Sequence, residues 1–193
     1  PTLISFFNSL NYCYFPLPIH NSTNFFFQVV QKWYRKQHSN LHKYRILFIG
    51  NSFTDYNGSI VVPTHLGGYK VTKIAEKAFY STYATNIILQ DGIVSIGDHA
   101  FTGNQMLENI YLPDSINYIA DYAFAECYRM ESIILPEGLI TLGACVFSSC
   151  SSLKSISLPE NLEFIGDAAF QNVTGLTEFV LPDTIVSVGK NAF

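Results

Sequence analysis

From Phe79 to Phe193 the apolar positions of the chain repeat on a nearly fixed period. Phe79, Phe101, Phe124, Phe147, Phe170 and Phe193 are separated by 22, 23, 23, 23 and 23 residues, and Ala or Val precedes each. Self-similarity on that scale marks a solenoid, in which one small supersecondary unit is stacked on copies of itself. A single unit cannot bury its apolar face alone, so stability has to come from stacking.

Aligned on Phe, the units read Leu-Pro-x-x-(Ile/Leu)-x-x-(Ile/Leu/Val)-(Gly/Ala)-x-x-(Ala/Val)-Phe-x-x-x-x-x-(Leu/Met)-x-x-(Ile/Phe)-x. Each recurrent apolar position predicts an interior ladder, for example Ile93, Ile116, Leu139, Leu162 and Ile185. Ile156 and Leu158 alternate as in a strand, and Pro159 closes that strand because it has no N–H for a ladder and fixes its own φ. Leu162-Glu163-Phe164-Ile165 predicts a second short strand, and Gly166 suits the bend that follows. Asp167-Ala168-Ala169-Phe170 reads as one helical or 3₁₀ turn with Asp167 as its N-cap.

The residues before the array do not share its period. Ile46–Ile49 and Ser59–Pro63 are two short apolar runs around an Asn57-Gly58 turn signal, which predicts a hairpin. We assign residues 45–75 as an N-terminal cap or degenerate first repeat, residues 76–193 as the repeat array, cut off within a unit, and residues 1–44 as a non-repeat segment. Within that segment Phe26, Val29, Val30 and Trp33 lie at helical spacing, which predicts an amphipathic helix over 23–35 with Lys32, Arg35 and Lys36 outside the apolar face. Starting at Pro1 and stopping at Phe193, the sequence reads as a fragment.

Charge divides the chain the same way. Residues 1–54 hold five basic and no acidic residues, whereas residues 55–193 hold six basic and all fifteen acidic ones, so the head is about +5 and the array about −9. A negative array repels a phosphate backbone and argues against nucleic acid as its partner, so none is expected. No apolar run reaches the roughly 18 residues of a spanning helix. Membrane contact by the basic helix is the lesser reading beside packing on its neighbour.

Candidate chemistry is sparse. Cys127 and Cys150 share one repeat position, three residues after Phe, so a cross-coil disulfide is geometrically conceivable, but free buried thiols are the simpler expectation. His38 and His42 sit at i, i+4 with no acidic or Cys partner near in sequence, which does not make a metal site. Asn21-Ser22-Thr23, Asn57-Gly58-Ser59 and Asn172-Val173-Thr174 fit the N-glycosylation pattern, relevant in a eukaryotic secretory host. Ile46 to Thr54 resembles the first block of the GDSL-type hydrolases, with Ser52 in the nucleophile position. The Asp-x-x-His that would supply the base is missing, and there is no room for an α/β domain before the cap.

The repeat motif as a whole, with Cys after Phe in two units and Gly68-Tyr69-Lys70-Val71-Thr72-Lys73-Ile74 as an entry unit, resembles the BspA-like leucine-rich repeats over about residues 58–193. It departs from that pattern at Leu89-Gln90, which lacks the corner proline, and at Val146, which replaces Ala. The resemblance implies an α/β-type, predominantly β repeat solenoid, curved and right-handed, with about five to six coils of 22–23 residues. It also implies a secreted or cell-surface protein used in adhesion or protein–protein interaction, with no catalytic residues, no metal and no cofactor. The partner would be a protein, either host matrix or another surface protein. A passive spacer presenting another domain is the alternative, and an esterase remnant at Ser52 the remote one.

Strict alternation turns the residues flanking the strand Ile outward. The candidate partner-binding face is therefore Ile88, Asn109, Tyr111, Ser132, Ile134, Glu178 and Val180, with Ile88, Tyr111, Ile134 and Val180 as an aligned, partly apolar stripe. β-Branched and aromatic residues favour strands whether or not anything binds, so the stripe by itself does not establish a contact.

Overall fold

The computed structural model describes residues 58–66, 69–177 and 179–193, together with the backbone of three short strands before them. In chain order the strands are β1 (Tyr12–Tyr14), β2 (Val29–Lys32), β3 (Ile46–Phe48), β4 (Ser59–Val62), β5 (His65–Leu66), β6 (Tyr69–Lys70), β7 (Lys73–Ile74) and β8 (Asn86–Leu89). They continue as β9 (Ser95–Ile96), β10 (Asn109–Tyr111), β11 (Tyr118–Ile119), β12 (Ser132–Ile134), β13 (Thr141–Leu142), β14 (Ser155–Ser157), β15 (Phe164–Ile165) and β16 (Ser187–Val188). No helix occurs among the described residues, so the predominantly β expectation holds and its helical component does not.

As the chain winds around the core, the coils from β4 to β15 each contribute one strand to each of two parallel faces, and the last coil contributes only β16, to the second. On the first face β4, β8 and β10 form one ladder and β12 and β14 another, with β10 and β12 neighbours across the break between them. On the second face β7, β9, β11, β13, β15 and β16 form a continuous six-stranded parallel sheet. In-register pairs such as Ile119 with Leu142 and Leu142 with Ile165 are the ladders that the 23-residue period predicts. The result is a parallel β-solenoid.

The third side is made of turns, and here the structure corrects the sequence reading. Asp167–Phe170 does not form a helical turn, since Ala168 has φ 53° and Asn172 has φ 61°. The same two positions are left-handed in coil after coil, at Tyr122 and Glu126 and at Cys145 and Ser149. The reason lies between coils. Cys145, Phe147 and Ser149 each donate an N–H to the next coil, to the carbonyls of Asp167, Ala169 and Gln171 at 2.9, 2.8 and 2.8 Å. A helical turn would aim those donors along its own axis, whereas the left-handed residues turn them toward the neighbour.

Two further roles change with it. Asp167 does not cap its own turn: its Oδ1 accepts the N–H of Lys190, one coil on, at 2.7 Å. Gly166, expected to ease the bend, is not among the residues with positive φ and owes its place to packing. A Cβ there would lie 2.5–2.6 Å from the backbone of Gly143 and Ala144, so glycine permits close stacking of coils.

The core is a set of ladders between the three sides. The rings of Phe101, Phe124 and Phe147 are fully buried. Successive rings from Phe79 to Phe170 stack at 5.2, 5.2, 5.6 and 5.5 Å, within 17° of parallel, and Phe193 continues the column at 5.4 Å from Phe170. The small Ala or Val before each Phe is buried beside it. The two departures from the motif are accommodated: Val146 is fully buried, and Gln90, in place of proline, accepts the Thr64 N–H through Oε1 at 3.1 Å.

Before the array the sequence reading is corrected twice. Val29–Lys32 is a strand, paired antiparallel with Tyr12–Tyr14 and with Ile46–Phe48, so the helix expected over 23–35 does not form there. The expected hairpin between the runs at 46–49 and 59–63 is also absent, because β3 pairs with β2 while β4 pairs parallel with β8. In both cases strand pairing distant in sequence overrides a local signal. β5 and β6 form a small antiparallel ladder of their own.

Candidate interaction face

The first face presents the side chains that alternation turns outward. Ile87 and Ile133 point inward and are buried, which leaves Ile88 and Ile134 exposed on the other side of the pleat. Ile88 pairs with Tyr111 and Ile134 with Ser157, so these residues stand in line across the strands. Their exposures are 42% for Ile88, 60% for Tyr111 and 75% for Ile134, large for apolar side chains in a folded array.

Two residues behind runs a second, polar row. Asn109 Nδ2 donates to Asn86 Oδ1 at 2.9 Å, and Asn86 Nδ2 donates to Ser59 Oγ at 3.4 Å and to Thr85 Oγ1 at 3.0 Å. Ser132 and Ser155 extend the row as exposed, register-paired residues. The face is therefore a neutral amide and hydroxyl row beside an apolar one.

Not every expected residue joins it. Ser157 interrupts the apolar row after Ile134. Val180 is exposed but lies in no paired strand, and Glu178 lies outside the described residues. In the other direction the row gains Val61, 41% exposed and paired with Ile88. Sequence reasoning missed it by counting outward pairs only from the first full Phe repeat, although Val62-Pro63 matches Leu-Pro and places Val61 where Ile88 stands.

The edge just past these strands carries a feature the apolar alignment did not single out. The residue after the corner is Asp91, Asp114, Glu137, Glu160 and Asp183 in five successive coils, and all five are exposed. The ion pairs among the described residues lie elsewhere: Glu108 with Arg129 at 3.9 Å, Glu131 with Lys154 at 3.0 Å, and Glu76 with Lys77 at 3.4 Å.

The buried polar groups are structural. Asn104 stands at the Cys position of its coil, accepts from Thr82, and donates to the carbonyls of Phe79 and Phe101 at 2.7 and 2.6 Å. Cys127 and Cys150 are free, buried thiols whose Sγ atoms reach the Phe101 and Phe124 carbonyls at 3.4 and 3.1 Å. Hydrogen bonding with Cys150, followed by burial, pushes the Cys127 thiol well above its ordinary range, away from the reactive thiolate. Hydrogen bonding with Cys145, a free and half-exposed thiol, likewise raises Tyr122. Among the described residues no group of three or more His, Cys, Asp or Glu could hold a metal, and no helix is long and apolar enough to cross a membrane. Ser52, His38, His42 and the asparagines of the first two glycosylation patterns lie outside the described residues; Asn172 is exposed.

Known proteins place this geometry. The chain is similar to the leucine-rich repeat protein of T. pallidum, with 31% identity, TM-score 0.63 and 70% of each chain covered. A leucine-rich cell surface protein of Faecalibacterium prausnitzii is 26% identical at TM-score 0.61, over 77% of this chain and 46% of that one. The pneumococcal vaccine antigen PcpA, at 22% identity and TM-score 0.72 over 86% of this chain and 45% of that one, shares the fold. The chain thus spans less than half of the last two proteins. No curated protein matches it. The BspA type leucine-rich repeat region matches residues 72–193 in six copies. With a six-copy match over most of its length and a solenoid whose ladders follow the same period, the chain belongs to the BspA-type leucine-rich repeat family.

Proposed function

We propose that this chain is a non-enzymatic protein-interaction or adhesion module of a secreted or cell-surface protein, and that it binds through the first strand face. The observation that carries the reading is the register of Ile88 with Tyr111 beside the exposed Ile134, which lines up large apolar side chains that do not serve the core. Exposed apolar rows bordered by polar residues are typical of protein contact sites. Similarity to a leucine-rich cell surface protein supports the surface location. The acidic array disfavours nucleic acid. Residues 45–75 act in this reading as the cap of the array 76–193, and the non-repeat residues 1–44 join that cap through the antiparallel pairing of β1 with β2 and of β2 with β3.

The test compares the chain with its Tyr111→Ala, Ile134→Ser double variant by surface plasmon resonance against immobilised extracellular matrix proteins. Both side chains are exposed, so circular dichroism and Tm should be unchanged. Loss of affinity by roughly tenfold or more is expected, because aromatic and apolar anchors dominate such contacts. Unchanged affinity rules out the stripe, and no binding by the wild type to any panel member counts against the adhesion reading.

A further inference from the structure

The proposed binding face has two unlike edges, and that difference narrows the partner. On the edge before the strands, Glu108 is paired with Arg129 and Glu131 with Lys154, so charge is balanced there. On the edge after the strands, Asp114, Glu137 and Glu160 stand one per coil, exposed, each three residues beyond Tyr111, Ile134 and Ser157 respectively. Their chain neighbours Ser115, Gly138 and Asn161 are neutral, and none of these carboxylates takes part in an ion pair among the described residues. Lys70 lies beside Gly92 at one end of the row, so the middle of the rail is the uncompensated part. An apolar row with a negative rail along one side selects an apolar surface with positive charge along one side.

The spacing selects the secondary structure of that surface. Coils repeat at 5.2–5.6 Å along the Phe column, and parallel strands stand about 4.8 Å apart. A helix laid along the solenoid axis advances about 5.4 Å per turn, so one turn meets one coil and the drift across three coils is under about 2 Å. An extended strand in the same direction places side chains of one face about 6.7 Å apart and falls out of step by about 4–6 Å over the same distance.

We propose that the partner element is a basic amphipathic helix, docked along the solenoid axis with its apolar side chains on Ile88, Tyr111 and Ile134 and its Lys or Arg side chains on Asp114, Glu137 and Glu160. This inference rests on the proposed use of the strand face as a protein-binding site. It belongs to the helix-in-groove mode of recognition, in which anchors at i, i+4 and i+7 give affinity and flanking charge gives orientation.

The probe is a synthetic 18-residue helical peptide with Leu at i, i+4, i+7 and i+11 and Lys along one flank, titrated into the full chain by fluorescence anisotropy. Binding is expected at about 10 µM at low salt, with a gain in helical circular dichroism and weakening as salt screens the rail. Asp114→Lys with Glu137→Lys should weaken it roughly tenfold or more, whereas Glu131→Gln on the balanced edge should change it less than about twofold. The inference is overturned if the peptide does not bind, or if a scrambled peptide or an alternating strand peptide of the same composition binds as well. It is equally overturned if the double charge reversal leaves affinity unchanged. Should the Tyr111, Ile134 variant lose matrix-protein binding while the basic helix fails to bind the wild type, the strand face stands as the binding site and only the helical partner falls.

Discussion

The carboxylate of Asp121 reaches past its own turn and accepts the N–H of Ala144, one coil on, at 2.7 Å. Asp167 does the same for Lys190. Because this bond ties one coil to the next, it acts on stacking, the term that sets a solenoid's stability. Asp121→Ala should cost about 1–2 kcal/mol in urea unfolding, while Asp121→Asn, which keeps an acceptor oxygen, should lose much less. Equal losses for the two variants would mean that the oxygen is not what matters.

Phe147 sits between Phe124 and Phe170 and has no exposed surface. Phe147→Ala opens a cavity in the middle of the column and should destabilise the chain by about 3–5 kcal/mol. A measured loss under about 1 kcal/mol would show that the ring is not part of the core.

Ala168, with φ 53°, separates the two accounts of the turn. In a helical turn Ala168→Gly would cost up to about 1 kcal/mol, but at a left-handed position glycine relieves a Cβ clash. The variant should therefore be neutral or raise stability by up to about 1 kcal/mol. A clear fall in Tm would restore the helical turn.

Asn104 holds three polar groups at once in a place with no water access. Asn104→Ala leaves the Phe79 carbonyl without that donor and should cost about 1–3 kcal/mol. Asn104→Cys, matching the residue at this position in the next two coils, should recover part of it; no recovery would argue against position-by-position equivalence of the coils.

Alkylation with iodoacetamide followed by peptide mapping tests the thiols. Cys145, half-exposed, should label in the native chain, whereas Cys127 and Cys150, buried and with the Cys127 thiol raised, should label only after unfolding. Native labelling of Cys127, or a disulfide joining it to Cys150, would contradict the buried-thiol reading.

Much of the fold was legible because a solenoid writes its core once per coil. The spacing from Phe79 to Phe193 located the ring column, and the alternation around Ile87 and Ile133 located the outward face, with Ile88, Tyr111 and Ile134 on it. The left-handed positions were not legible. Their residues include Lys77, Tyr122, Cys145 and Ala168, which have no preference for positive φ, so the conformation is imposed by hydrogen bonds to the next coil. Val29–Lys32 misled for the same kind of reason, since its apolar spacing fits a helix and its partners in β1 and β3 are far away in sequence.

What the sequence by itself determined is therefore the periodic part: which side chains fill the ladders, where the corners fall, and which residues alternation turns outward. What only the tertiary structure decided is everything that one coil does to the next. The amide donors of the turn residues, the Asp121 carboxylate and the glycine at 166 all take their roles from a neighbour 22 to 23 residues away. The same holds for the proposed binding face. Asp114, Glu137 and Glu160 are unremarkable one at a time, and they become a negative rail only because stacking sets them side by side while Arg129 and Lys154 neutralise the opposite edge.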